Sequence, residues 1–372
     1  MLRTTRIIGR TILLILALIS GFWLIASAWG GHVNPHTWAL PSVLGLTFPV
    51  ALVAAVSVLV ISLLIRCWKI AAGLLLAVLV AWPTLRVTVP INFSHAVGDT
   101  TRTFSLVTFN VSGFSNVQGV ADDMATIHYI LDSDADFVLL QEATLDYPDL
   151  FKHRLVAPVK DEVDRKYPYH AHGYHDLMIL SRYPYTVHTD TTLRTTYQDD
   201  SYHYYAKAYD VQLPEGRQLR IINVHLQSIG LTDGDRMVYR NLTQLDSINS
   251  RKQMRQVRSS LYAKLASAYR RRSHEAALVR KMIDSSDRNV ILCGDFNDTP
   301  ASYSYLTMRG DDMKDAFAQR GLGYKHTFNS DKMLFEIDHV LYRGNLKAVS
   351  IRRDKKGASD HYPLMATFKW QD

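Results

Sequence analysis

The chain has 372 residues, more than a usual single domain, and a formal net charge of +7. Residues 1–98 contain six basic residues and no Asp or Glu, which leaves 36 Lys and Arg against 35 Asp and Glu in the remainder. That near balance gives little support to a basic, duplex-binding surface. Two cysteines, Cys67 among apolar segments and Cys293 inside a strand-like run, are not expected to pair.

The first 90 residues are expected to form a membrane anchor. Residues 7–29, 41–65 and 70–89 are apolar stretches of about the ~20 residues a helix needs to cross a hydrocarbon core, and they predict three transmembrane helices. Arg3, Arg6 and Arg10 precede the first stretch, Arg66 and Lys69 separate the second and third, and the first loop, GGHVNPHTW, carries no Lys or Arg. The bias puts the N-terminus in the cytoplasm and everything after about residue 90 outside it, in the periplasm if the cell is Gram-negative. A cleaved signal peptide ending near Ala26-Ser27-Ala28 is the alternative for the first stretch and leaves the large domain on the same side.

Residues 91–101 are read as a linker and 102–372 as a catalytic domain of the α/β (α+β) class, because short strand-like runs alternate with helical ones from Phe104 onward. Informative polar residues stand at the ends of these runs. FSLVTFNV delivers Asn110, DFVLLQE delivers Glu142, LMILSRYP delivers Ser181 and Arg182, and LRIINVHL delivers Asn223 and His225. ILCGDFND delivers Asp295 and Asn297, FEIDHVLY delivers Asp338 and His339, and GASDHYPL delivers Asp360 and His361. A single such ending reads as a turn; seven in order read as one site built from many strands.

The ordered set TFN, LQE, ILSRYP, VHL, GDFN, IDHVL and SDH resembles the endonuclease/exonuclease/phosphatase superfamily of metal-dependent phosphoesterases, over residues 102–370. The resemblance implies a deoxyribonuclease I-like sandwich of two mixed β-sheets flanked by helices, with the site at one edge. It implies Glu142 as principal Mg²⁺ ligand, with Mn²⁺ as a substitute, and Asn110 and Asp360 beside it. Asp295 would position or deprotonate the attacking water and Asn297 would orient the phosphate. His225 and His361 would face the phosphoryl oxygens, Asp338 would complete the catalytic set, and Asn223 and Arg182 would bind substrate. The chain departs from the family at Glu336, where many members have Arg, and at His339, where many have Tyr, which bears on substrate rather than on hydrolysis.

The chemistry agrees with these residue types. A hard cation prefers carboxylate and amide oxygens, a carboxylate can take a proton from water, and imidazoles can donate to developing negative charge. The expected activity is hydrolysis of a phosphodiester, a lipid or another small one, by an enzyme held at the lipid bilayer; a membrane-tethered nuclease acting on DNA or RNA is the alternative, and no protein partner is evident. Other features carry less. His170, His172 and His175 have zinc-like spacing without a thiolate or a fourth ligand and read as a rim loop. The tyrosines around Tyr197, Tyr202, Tyr204, Tyr205 and Tyr209 read as half-buried strand positions. The basic stretch from Arg236 to Lys281 reads as an amphipathic surface helix, with an anionic-lipid patch as the other option.

Overall fold

A computed structural model of the chain describes residues 2–93, 103–114, 123–143, 157–170, 176–188, 194–196, 202–230, 251–330, 333–355 and 359–371. Linker residues 94–101, His172, His175, Tyr197 and Arg236 lie outside the described residues.

The N-terminal part forms five helices, α1 (Leu2–Trp29), α2 (Leu40–Gly45), α3 (Phe48–Leu64), α4 (Trp68–Val80) and α5 (Trp82–Thr88). The three apolar stretches do not form three unbroken helices. Residues 41–65 are interrupted between Gly45 and Phe48, with Pro49 in the first turn of α3, and residues 70–89 bend by 68° at Ala81, just before Pro83. Proline lacks the N–H and crowds the preceding turn, so a helix restarts at it instead of running through. Among the described residues, 6–32 make the one helix long and apolar enough to cross a membrane; the bent pair passes only if both halves count as one span, and α3 has 17 residues. The helices meet through small side chains, Ala17, Ala28, Ala51, Ala55 and Ala77, while Leu18, Phe22, Val53, Leu64 and Leu76 point outward.

From Thr103 the chain forms two six-stranded sheets. In chain order the strands are β1 (Thr103–Asn110), β2 (Phe137–Gln141), β3 (Tyr169–His170), β4 (Met178–Ser181), β5 (Tyr185–His188), β6 (Arg194–Thr196), β7 (Tyr202–Tyr204), β8 (Ala206–Gln212), β9 (Gln218–His225), β10 (Asn289–Asp295), β11 (Lys314–Asp315), β12 (Phe328–Ser330), β13 (Met333–Phe335), β14 (Asp338–Arg343), β15 (Leu346–Arg353) and β16 (Leu364–Trp370). One sheet has the order β15-β16-β1-β2-β4-β3 and the other β11-β14-β10-β9-β8-β5; β12 with β13 and β6 with β7 form small ribbons. Both large sheets are mixed: β1 with β2 and β9 with β10 run parallel, and their other neighbours run antiparallel.

Alternation along a strand explains the layering. Phe104 and Leu106 of β1 join Phe137, Ile221, Ile291 and Cys293 between the sheets. Val107 and Phe109 face outward onto α6 (Asp123–Ser133) and α7 (Ala157–Lys166) through Ile127, Ile130 and Val163. The second sheet is covered by α8 (Arg251–Asp284) and α9 (Tyr303–Arg309), through Ala276, Val279, Ile283 and Tyr305. Strands buried on both faces read as continuous apolar runs, and each buried Leu, Ile or Phe contributes roughly 1.5–3 kcal/mol. Cys67 and Cys293 are both free, as expected.

The domain packs directly against the helical unit. A Cβ on Gly31 would stand 2.5 Å from the carbonyl oxygen of Ala301, so only glycine permits this approach. Ala301 belongs to the apolar cluster of the helical unit. Asn34 Nδ2 donates to Tyr303 Oη (3.4 Å), Arg270 Nε donates to the Pro35 carbonyl (3.3 Å), and Asn92 Nδ2 donates to the carbonyls of Ala318 (3.0 Å) and Gly321 (2.9 Å) in and just after α10 (Ala316–Arg320). The first residues of the expected linker are thus pinned to the domain.

Candidate active site

Strand direction decides which residues meet. The parallel strands β1 and β2, and β9 and β10, all end at the same edge, where they deliver Asn110, Glu142, His225 and Asp295. Antiparallel neighbours bring their beginnings there instead. Asp338, the first residue of β14, pairs with Asp295, and Asp176 stands just before β4.

The local backbone is specialised. Gly294 has φ 136°, and a Cβ there would lie 2.0 Å from the Val224 carbonyl oxygen, so glycine alone fits before Asp295. Glu142 (φ 52°) and Asn297 (φ 50°) sit in the left-handed region, a conformation that costs a Cβ-bearing residue roughly 1–3 kcal/mol and concentrates at functional sites. The Glu142 turn is held by Gly113 N–H donating to the Glu142 carbonyl (3.0 Å) and Ala143 N–H donating to that of Asp176 (3.1 Å).

Asp295 is 1% exposed and lies at the centre of the site. Its Oδ2 accepts from Asn110 Nδ2 (2.9 Å), and its Oδ1 from the Asn297 N–H (2.7 Å). Two imidazoles flank the same Oδ2, His361 Nε2 at 3.7 Å and His225 Nε2 at 3.8 Å. Each imidazole has a carboxylate behind its Nδ1: Asp338 for His361, at 2.9 Å, and Asp176 for His225. Glu142 Oε1 stands 3.7 Å from His225 Nε2 and accepts from Asn110 Nδ2 at 3.0 Å.

Electrostatics follow from this packing. Burial opposes the charged imidazoles, yet Asp176 beside His225 and Asp338 beside His361 outweigh it and push both pKa values up to about 10. Burial raises Asp295 above the usual carboxylate range, with the two imidazoles and the Asn110 amide pulling the other way. Two groups have ligand atoms all within 4.8 Å of one another: Glu142, His225 and Asp295, and Asp295, Asp338 and His361. A divalent cation fits these residues. The carboxylates of Glu142, Asp176, Asp295, Asp338 and nearby Asp360 outnumber the two imidazoles even when both are protonated, and hard carboxylate oxygens suit such an ion.

Two sequence expectations, Arg182 and Asn223 as substrate contacts, are corrected here. Arg182 does not reach the cluster: β4 runs antiparallel to β2, so Ser181 and Arg182 emerge at the opposite edge, where Arg182 pairs with Asp134 and Asp136. Asn223 is fully buried; it accepts from Gln141 Nε2 (2.6 Å) and donates to the Leu140 carbonyl (3.0 Å), joining the sheets beneath the site where substrate cannot touch it. Asn110 turns its amide nitrogen to Glu142 and Asp295, and its oxygen accepts from the Ser112 N–H (3.0 Å). Asp360 lines the cleft but belongs to neither ligand group. Glu336 and His339, the two family departures, are both buried and absent from the cleft lining. Asp176 is the residue sequence reasoning missed; its signal was an Asp opening a strand whose neighbour runs the other way.

The cleft in front of the cluster has a volume of about 230 Å³. Ser112, Glu142, Ser228, Asp295, Asn297, Asp360 and His361 form its polar part, and Leu46, Ile229, Phe328, Phe335 and Ile337 its apolar part.

A family model described as Endonuclease/Exonuclease/phosphatase family matches residues 107–361, and a second, Domain of unknown function (DUF8431), matches residues 10–88. No curated protein matches the chain. Among solved structures, the chain is similar to an endonuclease/exonuclease/phosphatase from Beutenbergia cavernae DSM 12333, with 16% identity over 73% of this chain and 72% of that one and a TM-score of 0.48. It is also similar to truncated Caenorhabditis elegans TDP2 (18% identity, 72% and 98% covered, TM-score 0.42) and to the human Nocturnin catalytic domain with bound sulfate anion (15%, 73% and 94%, TM-score 0.44).

Proposed function

The chain belongs to the Endonuclease/Exonuclease/phosphatase family of metal-dependent phosphoester hydrolases and nucleases, and from that premise we propose that it hydrolyses phosphodiesters with water activated at Asp295. The observation that carries this reading is a single buried carboxylate oxygen flanked by two imidazoles, each backed by its own carboxylate. Glu142 would hold the cation, Mg²⁺ or in its place Mn²⁺, with Asp295 beside it, and Asn110 would fix both carboxylates. When bound, the cation supplies a hard Lewis acid for a phosphoryl oxygen and makes a nearby water more acidic. Asp295 takes the proton from that water. His361 and His225, kept protonated by Asp338 and Asp176, donate hydrogen bonds to the phosphoryl oxygens as charge builds on them, and Asn297 orients the phosphate. The full chain purified in detergent is expected to hydrolyse bis(4-nitrophenyl) phosphate with Mg²⁺, to lose the activity in EDTA and to regain it with Mg²⁺ or Mn²⁺. Activity indifferent to EDTA would contradict the reading.

The same reading makes residues 1–90 a membrane anchor, with the N-terminus cytoplasmic and residues 102–372 outside. It is supported by the apolar side chains exposed on α1, α3 and α4, by Arg6, Arg10, Arg66 and Lys69 at the end of the helical unit away from the domain, and by exposed Trp29, Trp38 and Trp82 at the near end. Alkaline phosphatase fused after residue 372 is expected to be active; an inactive fusion would reverse the orientation.

A further inference from the structure

The helical unit supplies part of the wall of the catalytic cleft. Leu46, in the turn between α2 and α3, lines the same space as Glu142, Asp295 and His361. It is set there by a close contact: a Cβ on the adjacent Gly45 would lie 3.0 Å from the Ala301 carbonyl oxygen, just beyond the loop that carries Asn297. On another side, the Phe328 ring packs edge-on against the His361 ring, 5.0 Å between centroids, so apolar wall and reacting groups are in direct contact.

Exposed apolar residues also occur between the ribbon beside the cleft and the helical unit. Phe335 lines the cleft, and the next side chain along the ribbon, Leu334, is 48% exposed. The Leu334 carbonyl accepts from Tyr324 Oη (2.7 Å), and near Tyr324 the exposed Leu322 bridges to exposed Ile91, three residues past the end of α5. A sugar phosphate would leave the cleft's aliphatic wall of Leu46, Ile229 and Ile337 uncovered, whereas a hydrocarbon chain would bury it.

We propose that the cleft takes an amphiphilic phosphodiester from the bilayer, with its phosphate at the carboxylate and imidazole cluster and its hydrocarbon arm against Leu46 and Phe335. This rests on the reading of the cluster as a phosphodiesterase, and makes the helical unit a determinant of specificity as well as an anchor. The experiment uses the full chain in detergent with methyl, butyl and octyl 4-nitrophenyl phosphate, which share one leaving group. From methyl to octyl, kcat/KM is expected to rise by at least about tenfold, since each buried methylene is worth about fourfold. Leu46→Ala and Phe335→Ala flatten that rise, and Leu18→Ala, on the outer face of α1, keeps it. Equal kcat/KM across the series, or a rise that both cleft variants retain, would overturn the proposal while leaving the phosphodiesterase reading intact. Faster cleavage of a single-stranded DNA oligonucleotide than of the octyl ester would overturn it in favour of a nucleic-acid substrate. Hydrolysis of no probe at all would remove the phosphodiesterase reading and this proposal with it.

Discussion

Replacing Asp295 by Asn lowers kcat on bis(4-nitrophenyl) phosphate by at least ~10², the usual cost of removing a group that moves a proton or holds charge in the transition state. The shape of the side chain is kept and the charge is lost. Asp295 is where the network converges, accepting from Asn110 and from the Asn297 N–H and lying between His225 and His361. Asn puts an NH2 where one of those donors already points, and it cannot take a proton from water. Circular dichroism of the variant should match the wild type, because apolar contacts between the sheets and against the helices, not this carboxylate, hold the strands. Wild-type kcat in Asp295→Asn would contradict the assignment.

Arg272→Leu destabilises the fold by about 3–5 kcal/mol, the cost of leaving one partner of a buried ion pair alone. Arg272 is fully buried; its Nε donates to Asp298 Oδ2 (3.1 Å), its Nη1 donates to the Gln227 carbonyl (3.0 Å), and its guanidinium lies over the Tyr269 ring at 4.6 Å. It ties α8 to the loops that follow β9 and β10, the two strands that end in His225 and Asp295. Burial already raises the pKa of Asp298, with Arg272 pulling it back, so removing the arginine favours a neutral carboxyl. Thermal unfolding in detergent measures the loss, and Arg272→Leu combined with Asp298→Leu should cost much less than the sum of the two single changes. A single variant with wild-type Tm would contradict the role.

Arg272 also illustrates what sequence reveals and what it hides. The stretch around it is basic and helical in period, and the helix is there, but its most basic run, Arg270 to Arg272, is not a uniform solvated face: Arg272 turns into the core and Arg270 reaches the Pro35 carbonyl. The two sheets and the strand ends at Asn110, Glu142, His225 and Asp295 were legible because strands buried on both faces leave apolar runs that stop at a polar residue. Strand direction was not legible. It decides between Arg182, which leaves β4 at the far edge, and Asp176, which enters β4 at the site. Asn223 has the right parity to face the other sheet but sits too deep, one turn of the alternation below His225. The breaks in the apolar N-terminal stretches had visible causes in Pro49 and Pro83, which composition and length pass over.

The central claim is that these strand ends hold a divalent cation, and Mn²⁺ binding to the substrate-free full chain, followed by electron paramagnetic resonance, tests it most directly. The account predicts saturable binding in the wild type and in Arg182→Gln, and binding weakened by at least about tenfold in Glu142→Gln and Asp295→Asn. Mn²⁺ binding by Glu142→Gln indistinguishable from the wild type would contradict it.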